Sequence, residues 1–303
     1  MNSDQTMPPG RDSLQQAGGG SPDADTFPPD IPTDRPTSAR AYGWLLGSKD
    51  NFQVDRELVL GLLQAFPESV DEARSNRRFL YRAVRYLARD VGITQFLDLG
   101  SGLPVENNVH EVAQRFQQAA RVVYVDNDPI VLAHGRALLA DDDSTTVIQA
   151  DVTEPATILH HPEVTRLLDL SQPVGVLQFG VPHCIPDDET ARAAVLEPME
   201  HVVSGSYLAV SHVVADDRET ADEVTATISG LGMPWRTRLP DEFASWLTGF
   251  EAVEPGLVDL NDWRPDRNQP ALTEVDPQLR PYLGATERYG KRTYEYGGVL
   301  RKP

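Results

Sequence analysis

The stretch Gln95-Phe-Leu-Asp-Leu-Gly-Ser-Gly-Leu-Pro104 decides the fold of this chain. An apolar run ends in Asp98 and passes into a turn that carries Gly100 and Gly102, and a helical pattern follows within a few residues. This order is typical of the first strand, turn and helix of a nucleotide-binding α/β sheet. Glycine in the turn lets the backbone approach a bound ligand closely, because no side chain occupies that volume.

A second apolar run, Val122–Val125, ends in Asp126, Asn127 and Asp128. An acid at the tip of the second strand can accept hydrogen bonds from both ribose hydroxyls of an adenosine. We therefore expect an adenosine cofactor, with Asp126 and the adjacent Asn127 beside it. The structural alternative is capping of the helix that starts at Pro129, which suits Asp128 in particular.

The rest of the chain alternates strand and helix patterns, which predicts a parallel sheet with helices on both faces. We expect about seven strands, the last two forming an antiparallel pair. The strands are predicted at 95–99, 122–126, 146–149, 174–179, 207–213, 250–260 and 294–301. The helices are predicted at 54–66, 70–89, 107–119, 130–140, 155–168, 190–203, 219–230 and 240–247.

Three regions follow from this pattern. Residues 1–33 are rich in Pro, Gly, Ser, Asp and Gln, and they predict a disordered tail. Residues 34–90 predict a helical N-terminal cap or lid, and residues 91–303 predict the cofactor-binding domain. Dinucleotide-binding dehydrogenases usually begin with the first strand and add a catalytic domain. A long lead-in followed by a single sheet is more typical of a class I methyltransferase.

The chemistry of the strand ends favours S-adenosylmethionine. Asp98 can hold the methionyl ammonium, and Asp126 the ribose hydroxyls. Asp151, which ends the third strand, can meet the adenine amino group, with Val152 packing beside the ring. The dinucleotide fingerprint needs a third glycine, but this chain has Val105 there, so no diphosphate is expected.

Several longer strings resemble one family. From Asp34 to Pro303 the chain resembles the actinobacterial S-adenosylmethionine-dependent methyltransferases long catalogued as a domain of unknown function. The resemblance implies the class I fold and binding of S-adenosylmethionine, but it implies no particular substrate. The strings that carry it are Asp34–Arg40, Leu46–Phe52, Asp98–Pro104, Asn108–Gln114, Val123–Pro129 and Tyr296–Pro303. The chain departs from the family pattern at Ser48, Pro182 and Cys184.

Methyl transfer depends mainly on alignment of the reacting atoms, and a base is needed only when the acceptor must lose a proton. His183 follows the fourth strand and is our candidate base; the alternative is a histidine that bonds a loop and shapes the pocket. We interpret His212 and His110 as structural, and Cys184 as a packing residue. Three tryptophans are candidates for an acceptor pocket, with the core as the alternative: Trp235, Trp246 and Trp263.

The segment before the sheet supplies further candidates. Lys49 can meet the methionyl carboxylate, and Tyr42 or Asn51 can contact cofactor or acceptor. Asn76 and Arg77 form a second option for the carboxylate. The alternatives are a packed N-terminal subdomain for the first group and a solvated basic face for the second.

Composition excludes several functions. The formal net charge of the 303 residues is −19, which disfavours nucleic acid and anionic membranes as partners. A single cysteine permits no intramolecular disulfide, and no cluster has metal-ligand spacing. The chain shows no signal peptide or membrane-spanning run, so we expect a cytoplasmic protein.

The sequence thus predicts a class I S-adenosylmethionine-dependent methyltransferase that acts on a small molecule by O- or N-methylation, with secondary metabolism as a candidate setting. One alternative is a non-catalytic S-adenosylmethionine-binding regulator. A second is an NAD-dependent oxidoreductase, against which the missing third glycine argues. We expect a monomer or a homodimer.

Overall fold

A computed structural model describes residues 31–138 and 143–303. Its eight strands form one sheet in the order β3-β2-β1-β4-β5-β8-β6, with β7 also paired to β8. The strands are β1 Gln95–Leu99, β2 Arg121–Asp126, β3 Thr145–Gln149, β4 Gly175–Gln178, β5 Tyr207–Val214, β6 Glu251–Ala252, β7 Val258–Asp259 and β8 Tyr294–Arg301.

The first five strands pair in parallel, and β8 lies antiparallel between β5 and the short strands β6 and β7. The strand order reverses between β1 and β4, which is where ligands bind in open α/β sheets. This arrangement confirms the predicted class I fold.

Eleven α-helices are present in the described residues. They are α1 Ser38–Leu45, α2 Gln53–Ala65, α3 Ser69–Arg85, α4 Val109–Gln114, α5 Pro129–Leu138, α6 Pro155–Leu159, α7 Pro162–Leu167, α8 Asp188–Glu200, α9 Arg218–Gly230, α10 Pro240–Trp246 and α11 Ala285–Tyr289. None of them is long and apolar enough to cross a membrane.

Helices cover both faces of the sheet because successive side chains of a strand point to opposite sides. In β1, Phe96 packs in a cluster with Phe79 and Ala83 of α3. Its neighbour Leu97 packs in a second cluster with Val164 of α7 and Val195 of α8. Helix α3 therefore belongs to the core of the sheet, although it lies in the region predicted as a cap.

Helices α1, α2 and α9 share a third apolar cluster at the edge of the sheet. A fully buried ion pair joins the first two helices: Arg40 Nε lies 2.8 Å from Asp55 Oδ2. Arg40 also donates to the carbonyl of Pro32, and Asp55 accepts from the backbone N–H groups of Thr37 and Phe52. The family-like strings at 34–40 and 46–52 thus build one buried polar junction.

Some predicted elements are wrong in detail. The strand expected at 250–260 is divided into β6 and β7, which makes eight strands; Pro255 between them cannot donate to a strand ladder. The helix expected at 155–168 is divided into α6 and α7, because Pro162 starts a new helix at its first position. The helix expected at 107–119 is shorter, and the one at 70–89 ends in a π-helical turn, Tyr86–Val91. The tail predicted at 1–33 lies almost wholly outside the described residues, as do the last residues of the helix predicted at 130–140.

Candidate active site

A cavity of about 740 Å³ opens at the carboxyl ends of the parallel strands. One part is lined by residues that follow β1, β2, β3 and β4, and another by side chains of α1, α2, α3 and α9. The first part, bounded by the turns after β1 and β2, is the strand end. The part bounded by α2, α3, α9 and β8 is called the cap end. The two parts form one continuous space.

The glycine turn forms one wall of the strand end. Gly100 and Gly102 both have positive φ, at 75° and 67°. A Cβ atom on Gly100 would lie 2.4 Å from Cγ2 of Val181, so the loop after β4 packs directly against this turn. Gly102 faces open space, because a Cβ atom added there would meet none of the described side chains or backbone within 4 Å. Gly100 is thus required by protein packing and Gly102 by backbone conformation.

Asp126 ties this turn to the end of β2. Its Oδ2 accepts from the Gly102 N–H at 2.8 Å, and its Oδ1 accepts from the Asp128 N–H at 2.9 Å. Burial raises the pKa of Asp126 to about 6, although these backbone hydrogen bonds lower it. Asp128 accepts from the Ile130 N–H at 3.0 Å and caps α5, which is the capping role predicted as its alternative.

Asp98 and Arg77 bring opposite charges to the same end of the cavity. Burial raises the pKa of Asp98 to about 7; Arg77 opposes this shift and Asp126 adds to it. The Arg77 guanidinium donates to the carbonyl of Glu106 at 2.8 Å, so the loop after the glycine turn holds it in place. A buried carboxyl beside a fixed guanidinium suits a ligand group that carries both an ammonium and a carboxylate.

The other predicted cofactor residues do not all reach the cavity. Asn127, Asp151 and Val152 line the strand end. Asp151 Oδ1 already accepts from the N–H and hydroxyl of Thr153, at 2.9 and 2.7 Å, in a local turn. Lys49 is exposed and does not line the cavity, so the structure does not bring it to the predicted carboxylate position. Arg77, the second predicted option, does line the cavity.

Asn51 also lies outside the cavity lining. Its side chain donates to the Ser48 carbonyl at 3.1 Å and accepts from Arg56 at 2.8 Å. Tyr42 does line the cavity, and its hydroxyl donates to the Ala73 carbonyl at 3.3 Å. Of Lys49, Tyr42 and Asn51, Tyr42 alone lines the cavity.

His183 lies in the cavity wall between the two ends, but its bonding does not suit a base. Its Nδ1 accepts from the Val213 N–H at 3.1 Å, so the neutral ring carries its proton on Nε2. Burial and the nearby Arg238 lower the pKa of His183 to about 3. The ring packs against Trp235, with centroids 4.1 Å apart. This geometry favours the pocket-shaping interpretation over the predicted base.

The other candidates have structural partners. His212 bonds the Val213 carbonyl through Nδ1 and meets Arg238 through Nε2, at 2.6 and 3.0 Å. His110 Nδ1 lies 2.8 Å from the Tyr124 hydroxyl. Burial raises the pKa of the Cys184 thiol to about 11, which does not suit a nucleophile. Of the three tryptophans proposed for the acceptor pocket, only Trp235 lines the cavity; Trp246 and Trp263 do not.

A buried hydrogen-bond network that the sequence did not reveal crosses the cap end. Ser211 Oγ of β5 accepts from the Gly180 N–H and donates to Asn76 Oδ1, both at 2.8 Å. Asn76 Nδ2 in turn donates to the Tyr42 hydroxyl at 3.2 Å. The network therefore connects the loop after β4 to α3 and α1.

Two glutamates, Glu72 of α3 and Glu295 of β8, also line the cavity and were not predicted. Burial raises the pKa of Glu72 to about 8, and burial together with Glu72 raises the pKa of Glu295 well above its usual range. One signal was present in the sequence: Glu295 occupies the same face of β8 as Gly297 and Val299, an inward face of the sheet. A charged residue at an inward strand position indicates a site.

A family model described as "S-adenosyl methyltransferase" matches residues 24–303. The chain belongs to this family. S-adenosylmethionine is therefore the methyl donor, and the resemblance noted in the sequence is confirmed.

The methyltransferase is also similar to two solved structures from actinobacteria. One is a DUF574 family protein from Streptomyces avermitilis, with 35% identity and a TM-score of 0.77, which covers 89% of this chain and 99% of that one. The other is a candidate methyltransferase from Thermobifida fusca, with 40% identity and a TM-score of 0.73, which covers 88% and 95%. A search of curated proteins returned no match.

The residues of the strand end fit the cofactor. The open space beside Gly102 leaves room for a ligand close to the backbone. Asp98 and Arg77 present complementary charges for an amino-acid group, and Asp126 presents a buried carboxyl beside the glycine turn.

Proposed function

We propose that the enzyme transfers the methyl group of S-adenosylmethionine to a nitrogen or oxygen atom of a small molecule bound in the cap end. The observation that carries this proposal is the continuity of the cavity from the strand end to the cap end. Donor and acceptor can therefore be held side by side in one space. Its volume of about 740 Å³ lies within the range of small-molecule sites.

The strand end holds the cofactor in this proposal. Arg77 receives the methionyl carboxylate and Asp98 the ammonium, while Asp126 accepts from the ribose hydroxyls. Asn127 and Asp151 border the adenosine, and Val152 packs against the adenine ring. The cofactor itself supplies a methyl group that its sulfonium activates, so the protein must chiefly align the reacting atoms and exclude water.

The cap end supplies an apolar lining for the acceptor. Phe66, Ile228, Met233 and Trp235 lie around it, from the end of α2, from α9 and from the loop that follows α9. Aromatic and aliphatic walls of this kind bury the hydrocarbon part of a small molecule and remove water from the reacting atoms. A cavity roofed by helices also favours a small molecule over a macromolecule, as does the net charge of −19.

A labelled-transfer experiment tests the proposal. The protein is incubated with S-adenosylmethionine that carries a deuterated methyl group and with a bacterial metabolite extract, and products are detected by mass spectrometry. We expect labelled small molecules that require the folded enzyme and disappear with Asp98→Asn. Tight cofactor binding without labelled product would support a non-catalytic, regulatory role instead.

A further inference from the structure

The cap end contains a carboxyl group, that of Glu295, which has a hydrogen bond with Ser211 but leaves one oxygen without a partner. Glu295 is 4% exposed, lines the cavity, and its Oε2 has no hydrogen-bond partner among the described residues. A buried polar atom without a partner costs free energy unless a ligand or water satisfies it. Because the side chain borders the cavity, a bound molecule can supply that partner.

The charges around Glu295 are also acidic. The charged groups that act on it are Glu72 and Asp259. Those that act on Glu72 are Glu68, Asp71 and Asp259, while its Oε1 accepts from the hydroxyl of Thr293. Neither glutamate forms an ion pair within the part of the chain that the structure describes. Because their pKa values are raised, a cationic ligand between them would draw these carboxyls into the ionised form that binds it.

Glu295 lies close to the loop that follows β4. A Cβ atom placed on Gly180 would lie 3.7 Å from Glu295 Oε1, 3.6 Å from His183 Cε1 and 2.9 Å from Asn76 Nδ2. These groups therefore converge on the boundary between the strand end and the cap end. An acceptor atom held there lies next to the cofactor part of the cavity.

We propose that the methyl acceptor is an amine whose ammonium binds between Glu295 and Glu72, and that Glu295 removes the proton that frees the nitrogen lone pair. This inference rests on the proposed small-molecule methylation. The proton passes from nitrogen to the Glu295 carboxylate. The neutral nitrogen then bonds to the methyl carbon as the carbon–sulfur bond breaks, and that electron pair stays on sulfur. The methylated nitrogen already carries a positive charge from its new bond, so the product leaves as an ammonium, and Glu295 releases its proton to water.

The chemistry of the site favours an amine over a hydroxyl group. In its ionised form this pair of carboxyls attracts an ammonium ion, but it repels the phenolate that attacks the methyl group in an O-methylation. Raised pKa values in both glutamates reduce the gap to an amine, whose usual pKa is about 10.4 in a lysine side chain. Proton transfer to the carboxylate is therefore easier than it would be to an exposed one.

The rest of the lining indicates the shape of the amine. Trp235 and Met233 line the cavity, and the Trp235 ring packs against His183. Phe66 also lines it, at the end of α2. Such side chains bind an aromatic or branched aliphatic body. We therefore expect an amphipathic amine, with its nitrogen directed to the glutamates and its apolar part directed to α2 and α9.

Matched ligands test this inference. Arylalkylamines are compared with alcohols and phenols of the same carbon skeleton, by calorimetry on protein loaded with S-adenosylhomocysteine and by transfer of a deuterated methyl group. We expect the amines to bind and to be methylated. We expect Glu295→Gln to weaken amine binding about 10-fold to 100-fold, as loss of a charge-assisted hydrogen bond does. Affinity for S-adenosylmethionine should change less than about twofold, which shows that the variant is folded.

Glu200→Gln, an exposed position on α8, is the matched control and should leave amine binding unchanged. Binding or methylation of the alcohols or phenols in preference to the amines would overturn the amine assignment but leave the proposed methylation intact. Unchanged amine binding in Glu295→Gln, or no binding by any amine, would overturn it as well. Amine binding to the loaded protein without transfer to any compound would instead count against the proposed function.

Discussion

The two ends of the cavity are built in different ways. At the strand end, Asp126 accepts from Gly102, which is 24 positions away, and both residues follow neighbouring parallel strands. At the cap end, Ser211 bonds Asn76 across 135 positions, and Thr293 bonds Glu72 across 221. The strand end depends on turns that the sheet itself places together. The cap end depends on how distant elements pack over the sheet.

This difference has consequences for mutation. A change in the junction of α1 and α2 should affect the cap end first, whereas a change in the glycine turn should affect the strand end. The two ends should also titrate differently, because Arg77 lowers the pKa of Asp98 at the strand end, whereas acidic neighbours raise the pKa values of Glu72 and Glu295 at the cap end.

The largest effect is expected from Arg40→Met. This change leaves Asp55 buried without its cation, and breaking a fully buried ion pair typically costs about 3–5 kcal/mol. Chemical denaturation measures the loss, and hydrogen exchange should show it first in α1 and α2. Arg166→Met, which removes an exposed pair with Glu163, is the control and should cost less than about 1 kcal/mol. Equal losses in the two variants would contradict the role of the buried junction.

Gly100→Ala should have the next largest effect. The new Cβ would lie 2.4 Å from Val181, and the residue has a φ of 75°. Strain and overpacking together should cost about 2–4 kcal/mol in the free energy of unfolding. Gly92→Ala has a φ of 88° but open space around the added Cβ, so it should show the strain alone, at about 1 kcal/mol. A Gly100 variant no less stable than the Gly92 variant would show that the contact with Val181 is unimportant.

Glu72→Gln should have the smallest effect at about pH 5 and should make the protein more stable than the native one at high pH. Burial raises the pKa of Glu72 from 4.5 to about 8, so the native state holds this proton more tightly than the unfolded state does. The stability of the native protein should therefore fall as pH rises from 4.5 to 8. The variant lacks this loss, so its stability relative to the native protein should rise steadily between pH 4.5 and pH 8.

Thermal unfolding between about pH 5 and pH 8 measures this difference, since the window lies between the two pKa values of Glu72. The groups that act on Glu72 by charge or hydrogen bonding are Glu68, Asp71, Asp259 and Thr293. Glu200→Gln should show no gain that depends on pH. A stability difference between Glu72→Gln and the native protein that stays constant across this range would mean that Glu72 is not buried as described.

The difference between the two ends of the cavity also explains which site residues the sequence could predict. Hydrophobic periodicity located β1 and β8 correctly, and the acids at 98 and 126 could be assigned because strand ends meet at one edge of a parallel sheet. The sequence predicts both Lys49 and Arg77 as partners of the methionyl carboxylate; of the two, Arg77 lines the cavity, because α3 packs on the sheet. Glu72 and Glu295 are brought together only by tertiary packing, so no local pattern could pair them.

The most direct test of the account is a calorimetric titration of S-adenosylmethionine into the native protein and into Asp126→Ala. We predict binding by the native protein and an affinity at least about 10-fold weaker in the variant, because a buried carboxylate that bonds the ribose is lost. Asp126→Asn, which keeps one acceptor for the backbone N–H groups, separates this loss from disruption of the turn and should also be weakened. Equal affinity in all three proteins would contradict the placement of the cofactor beside the glycine turn.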